Sequence, residues 1–204
     1  MTTTLDEREQ RHGISAVLTT VEHLDSAVLD LAAVLEGLVP SAFEIIVVAD
    51  GHARRTHAVT EDLRVRAPGL PLRIVDGDGI AAGCDAAEYD LVFLSAADGR
   101  FDVRELNHLL DAIEHGADVA TGYRPRRTDG ILRQLQRWGW NVQVDCAFSL
   151  FGRRILRELD GRGRGSCANL LSAVRRLGYS VAEVPLRHRR PTLGTAVSAI
   201  SRAA

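Results

Sequence analysis

Four stretches in the first half of the chain are apolar at consecutive positions: "ISAVLTT" (14–20), "FEIIVVADG" (43–51), "LPLRIVDGDG" (70–79) and "DLVFLSAADG" (90–99). A strand with one face in water alternates apolar and polar residues, so unbroken runs predict strands covered on both faces. Between them the period changes. "LDSAVLDLAAVLEGL" (24–38) sets Val28, Leu31, Ala32, Leu35 and Leu38 on one helical stripe, with Asp25 or Ser26 placed to cap it. An Arg- and His-bearing helical stretch follows the second run. This alternation predicts an α/β fold with a mostly parallel central sheet flanked by helices.

The second half mixes its signals. "FDVRELNHLLDAIEHG" (101–116) is an amphipathic helix and "ADVATGYRPRR" (117–127) a strand entering a basic loop. "ILRQLQRWGWN" (131–141) reads as a helix, and "VDCAFSLFGRRILREL" as a short strand or turn leading into another. "CANLLSAVRRLGY" and "SVAEVPLRHRR" close the fold as helix and strand. No repeat or linker interrupts the pattern, so the reading is one domain over 13–190, with a polar lead over 1–12 and a small-residue tail over 191–204.

With 25 basic and 27 acidic residues, the net charge of -2 draws the protein to no polyanion, and nucleic acid is not an expected partner. Cys84, Cys146 and Cys167 are widely spaced and form no C-x-x-C pair, which predicts buried thiols instead of a disulfide framework or zinc site. The lead "MTTTLDEREQRH" has no apolar segment and no run is long enough to cross a bilayer, so a cytoplasmic protein is expected. Peripheral membrane contact and a homo-oligomer stay open.

In a parallel sheet the working surface lies at the carboxyl ends of the strands. Here those ends carry Thr19-Thr20, Asp50-Gly51, Asp76 to Gly79 and Asp98-Gly99, so carboxylates converge on one rim. An acid followed by glycine can meet a ribose, a base edge or a diphosphate-bound cation at close range, although Asp-Gly is equally ordinary turn chemistry. "GDGIAAG" (77–83) has G-x-G-x-x-x-G spacing after the third strand, so it reads as a turn opening a helix. Two dense basic patches, Arg124, Arg126 and Arg127 in "GYRPRRTDG" and Arg187 and His188 in "PLRHRR", offer planar paired donors suited to phosphate. Either patch alone reads as readily as a solvated basic face.

Taken in order, "EIIVVADG", "DLVFLSAADGRFDVREL", "GADVATGYRPRR", "WNVQVDCAFSLFGRRIL" and "GYSVAEVPLRHR" resemble the family 2 inverting glycosyltransferases, in particular the dolichyl-phosphate and polyprenyl-phosphate sugar synthases, from about Ile14 to Gly194. The resemblance implies the nucleotide-diphospho-sugar transferase (GT-A, Rossmann-like) fold. It also implies transfer of a sugar from a nucleoside diphosphate to a small or lipid-phosphate acceptor, with inversion at the anomeric carbon. In that family a D-x-D motif holds a divalent ion under the leaving diphosphate.

Carried over residue by residue, the motifs are depleted. Asp50 stands on the second acid of the family's D-D-G strand end, with Ala49 in place of the first. Asp98 stands on the second acid of D-x-D, with Ala96 in place of the first, and Ser149 stands where a basic residue is common. The resemblance therefore implies a nucleoside site from Thr19, Glu22, Asp50, Gly51 and Asp98. It implies a weakly held Mg or Mn ion on Asp98, phosphate or acceptor contacts from Arg124, Arg126, Arg127, Arg187 and His188, and Asp98 and Asp145 as the catalytic acids, with Asp145 the candidate base. The expected ligands are a nucleotide sugar and an acceptor the sequence does not identify. The competing readings are a catalytically silent binding or scaffold relative, or a relative repurposed for another small molecule.

Overall fold

The structure, a computed structural model, describes residues 13–19, 24–38, 42–49, 53–77, 79–96, 102–123, 148–159 and 167–187. The four apolar runs form strands β1 (Ile14–Leu18), β2 (Phe43–Ala49), β3 (Leu72–Asp76) and β4 (Leu91–Ser95). Between them lie helices α1 (Leu24–Leu38), α2 (Ala53–Arg66) and α3 (Gly79–Ala86). A short 3₁₀ turn (Val103–Glu105) leads into α4 (Leu106–Glu114), followed by β5 (Val119–Tyr123) and β6 (Phe148–Gly152). Helices α5 (Arg153–Glu158) and α6 (Cys167–Arg176) and strand β7 (Val181–Pro185) complete the described elements.

The strands make one seven-stranded sheet in the order β3-β2-β1-β4-β6-β5-β7. The first four pair in parallel, and β7 pairs in parallel with β5. Among the described strands only β6 runs the other way, antiparallel to both β4 and β5. The expected fold class holds. The segment read as a short strand or turn is this reversed strand, and the predicted helix over 131–141 lies outside the described residues.

Both faces are covered, which explains the unbroken apolar runs. Ile14, Ala16 and Leu18 of β1 point into the layer with α1, α2 and α4, while Val17 points into the layer with α3, α5 and α6. Phe93 and Phe148 meet edge to face across β4 and β6, with centroids 4.8 Å apart at 79°, a geometry that adds about 1 kcal/mol beyond area burial.

The amino ends of the strands are joined by a polar network. Glu44, 6% exposed, accepts from Ser15 Oγ at 2.6 Å, from Arg73 Nη1 at 2.9 Å and from the Glu88 backbone N–H at 2.8 Å. Arg73 Nη1 also reaches Glu88 Oε1 at 2.6 Å, and Ser15 Oγ accepts from the backbone of Glu88 and Tyr89. Every partner satisfies a group that burial would otherwise leave expensive. The network ties the α3–β4 connection to the edge opposite the carboxyl rim.

Candidate functional site

The chain winds outward from β1 to β2 and β3, then returns to place β4 on the other side of β1. That reversal makes the carboxyl ends of β1 and β4 the topological switch point, where such sheets usually hold their ligand in a crevice. Leu18 lies opposite Ser95, and one residue on, the Thr19 N–H donates to Ser95 O at 3.3 Å. Thr19, half-buried, and Ala96, also half-buried, are the described residues that flank this mouth.

Helix α3 can lie close beneath the crevice because Gly83 faces the sheet. A Cβ at Gly83 would lie 2.3 Å from Val17 Cγ1 and 2.9 Å from Val48 Cγ2. The helix begins at Gly79, as the reading of "GDGIAAG" expects. Further along the rim, Ala49 lies opposite Asp76, whose carboxylate Oδ1 is 2.8 Å from His57 Nε2 on α2. No spacing signal in the sequence joins His57 to Asp76.

On the other side of the crevice the structure brings together segments far apart in sequence. Leu186 N donates to Tyr123 O at 2.9 Å, and Arg187 N donates to Glu105 Oε2 at 3.3 Å. Tyr123 is the last described residue before the basic loop, and Glu105 follows the turn after β4. Arg187 is exposed there. Of the candidate residues, Thr19 and Arg187 are described and both lie at the carboxyl rim. Glu22, Asp50, Gly51, Asp98, Arg124, Arg126, Arg127, Asp145 and His188 lie outside the described residues.

Asp98, the residue expected to hold a divalent ion, lies outside the described residues. At the end of β4 the described residues present Ser95, 8% exposed, and the methyl of Ala96, and no group of three His, Cys, Asp or Glu side chains gathers among the described residues. Ser149 is fully buried, with its hydroxyl 2.7 Å from that of Thr121 on β5. Here the residue packs between strands, its hydroxyl bonded to Thr121.

The groups with shifted titration sit at the opposite edge. Ser180 donates its hydroxyl to Asp118 Oδ2 at 2.7 Å and its backbone N–H at 2.8 Å, and these bonds hold the Asp118 carboxyl below the ordinary range. The Tyr179 hydroxyl donates to Glu158, which raises the phenol. Both precede or follow strand starts, so they serve the fold and not the rim. Among the described residues no helix is long and apolar enough to cross a membrane.

A family model described as "Glycosyl transferase family 2" matches residues 27–176. No match is found among curated proteins. Among solved structures, the mannosyltransferase PcManGT from Pyrobaculum calidifontis in complex with GDP-Man and Mn2+ is 15% identical, with a TM-score of 0.65 over 86% of this chain and 55% of that one. The chain thus spans little more than half of that relative. Glucosyl-3-phosphoglycerate synthase from Mycobacterium tuberculosis, in complex with phosphoglyceric acid, is 18% identical, with a TM-score of 0.62 over 94% of this chain and 76% of that one. 4-Diphosphocytidyl-2C-methyl-D-erythritol synthase from Anaerococcus prevotii is 12% identical, with a TM-score of 0.59 over 94% and 96%. At these identities the likeness is one of fold.

Proposed function

The chain belongs to glycosyl transferase family 2 and has the GT-A fold, and we propose that it transfers a sugar from a nucleoside diphosphate to a small or lipid-phosphate acceptor with inversion. One observation carries this reading. The tie of Arg187 to Glu105 and of Leu186 to Tyr123 draws the flanks of both basic patches and of the Asp98 turn to one side of the β1/β4 crevice. The likeness to a mannosyltransferase solved with GDP-Man and Mn2+, and to a glucosyl-3-phosphoglycerate synthase solved with UDP and Mn2+, supports a nucleotide-sugar donor.

In this reading Thr19, Glu22, Asp50 and Gly51 hold the nucleoside along the β1–β2 rim. The acceptor oxygen attacks the anomeric carbon opposite the diphosphate, the carbon–oxygen bond to the diphosphate breaks, and negative charge grows on the leaving oxygens. Arg187, with Arg124, Arg126, Arg127 and His188, stabilises that charge, since preorganised cations act where charge develops. A phosphate acceptor attacks without losing a proton, whereas a hydroxyl acceptor delivers one to Asp145. An Mg or Mn ion resting on Asp98 alone would be weakly held.

Ala49 and Ala96, which put methyl groups at two rim positions, favour a second reading: a relative that keeps the fold to bind a partner or another small molecule without transfer. A turnover screen separates the two. Incubation of the full chain with labelled UDP- and GDP-sugars and with lipid phosphates, phosphoglycerate and simple sugars should release nucleoside diphosphate in step with a glycosylated product. Absence of product across every donor and acceptor class, with nucleotide still bound, supports the non-catalytic relative.

A further inference from the structure

Leu186 and Arg187 leave β7 with consecutive backbone N–H groups tied to different parts of the rim. Leu186, 2% exposed, bonds the end of β5 and fills the space beside Gly122, where a Cβ would lie 2.1 Å from Leu186 Cδ1. Arg187 bonds Glu105 across 82 positions in the sequence. Glu105 is itself fixed, because its N–H donates to Asp102 O at 3.0 Å and its side chain is only 12% exposed, with His108 Nε2 3.8 Å from Oε2. Asp102 anchors the same turn by accepting from Arg104 N at 3.1 Å.

The Glu105 carboxylate is thus used to hold a peptide N–H. Among the described residues no ion pair engages the Arg187 guanidinium, which stays exposed. A half-buried acid that accepts from the backbone N–H of an arginine while leaving its head group available can aim that head group, because charge-assisted bonds are the stronger tethers. We propose that Glu105 is a positioning residue, holding Arg187 against the β4–α4 turn so that its guanidinium meets the diphosphate of the donor. This deepens the donor reading above and rests on it.

The test titrates UDP and GDP into the full chain and into Glu105→Ala, Glu105→Gln, Arg187→Ala and the double variant Glu105→Ala/Arg187→Ala. Glu105→Ala and Arg187→Ala should each weaken the bound diphosphate roughly tenfold, the scale of one charge-assisted contact. Glu105→Gln, which keeps an acceptor oxygen, should recover most of the loss, and the double variant should be no weaker than Arg187→Ala alone. Exchange of the Arg187 amide hydrogen should quicken in Glu105→Ala and slow again in Glu105→Gln. Unchanged affinity in Glu105→Ala, multiplied losses in the double variant, or unaltered amide exchange each overturns the positioning role while leaving the donor reading in place. Failure of the parent chain to bind either nucleotide overturns the donor reading, and this inference with it.

Discussion

Asp118 shows how a single hydrogen-bonded carboxylate shapes the response to acid. Ser180 holds its pKa below the ordinary value, so the unfolded chain binds this proton first as pH falls. The stabilisation is fully present above the ordinary carboxylate range and disappears as pH drops through the lowered folded value. Asp118→Asn should therefore be less stable than the parent at pH 7, and the gap should narrow by pH 3; urea melts at the two values measure it. A gap that widens in acid reverses the sign. At the rim, Ala96→Asp would restore a second carboxylate near the Asp98 turn. It should tighten Mn-dependent nucleotide binding about tenfold or more, if one charged ligand contributes roughly 1.5–3 kcal/mol. Unchanged binding removes Asp98 from the diphosphate side. At this scale the sequence reads unevenly. Ala49 and Ala96 stand out in the motif itself, while Ser149 is intelligible only once its bond to Thr121 is seen.

Elements were legible where burial on both faces forces long apolar runs, as in β1, β2 and β4. Strand β6 was legible only as a short strand or turn and its direction not at all, because "FSLFG" is short and the direction of a strand leaves no mark on its composition; its antiparallel pairing with β4 and β5 is set by partners distant in sequence. Two contacts between elements give tests. Gly83→Ala gains about 1 kcal/mol of helix propensity, but its Cβ would meet Val17 Cγ1 at 2.3 Å, well inside carbon–carbon contact. Overpacking costs roughly 1–3 kcal/mol, so the sum is a loss, and moving α3 off Val17 and Val48 should also weaken nucleotide binding at the rim. A calorimetric melt with a raised Tm would show that α3 yields freely. At the amino edge, Arg73→Ala strips a cation from Glu44, whose side chain is 7% exposed. Because Arg73 itself is 41% exposed, the cost is roughly 2 kcal/mol, about 4–8 °C in Tm. Nucleotide affinity should be untouched, since the network lies across the sheet from the crevice.

Across the whole molecule, the order β3-β2-β1-β4 places the crevice, and sequence alone could anticipate it because each parallel strand ended in polar or acidic residues. What it could not anticipate is the return of β7 beside β5, which carries Arg187 to Glu105. Residues 105 and 187 share no motif and no periodicity; only the parallel register of the last strand joins them. We propose that this rim holds a nucleoside diphosphate, with Asp50 serving the nucleoside and the arginines the phosphates. Titration calorimetry of the full chain with UDP and GDP, with and without Mn2+, tests it directly. The account predicts micromolar binding of at least one nucleotide, strengthened by Mn2+ and lost in Asp50→Ala. No heat from either nucleotide under any condition, or binding indifferent to Asp50, contradicts it.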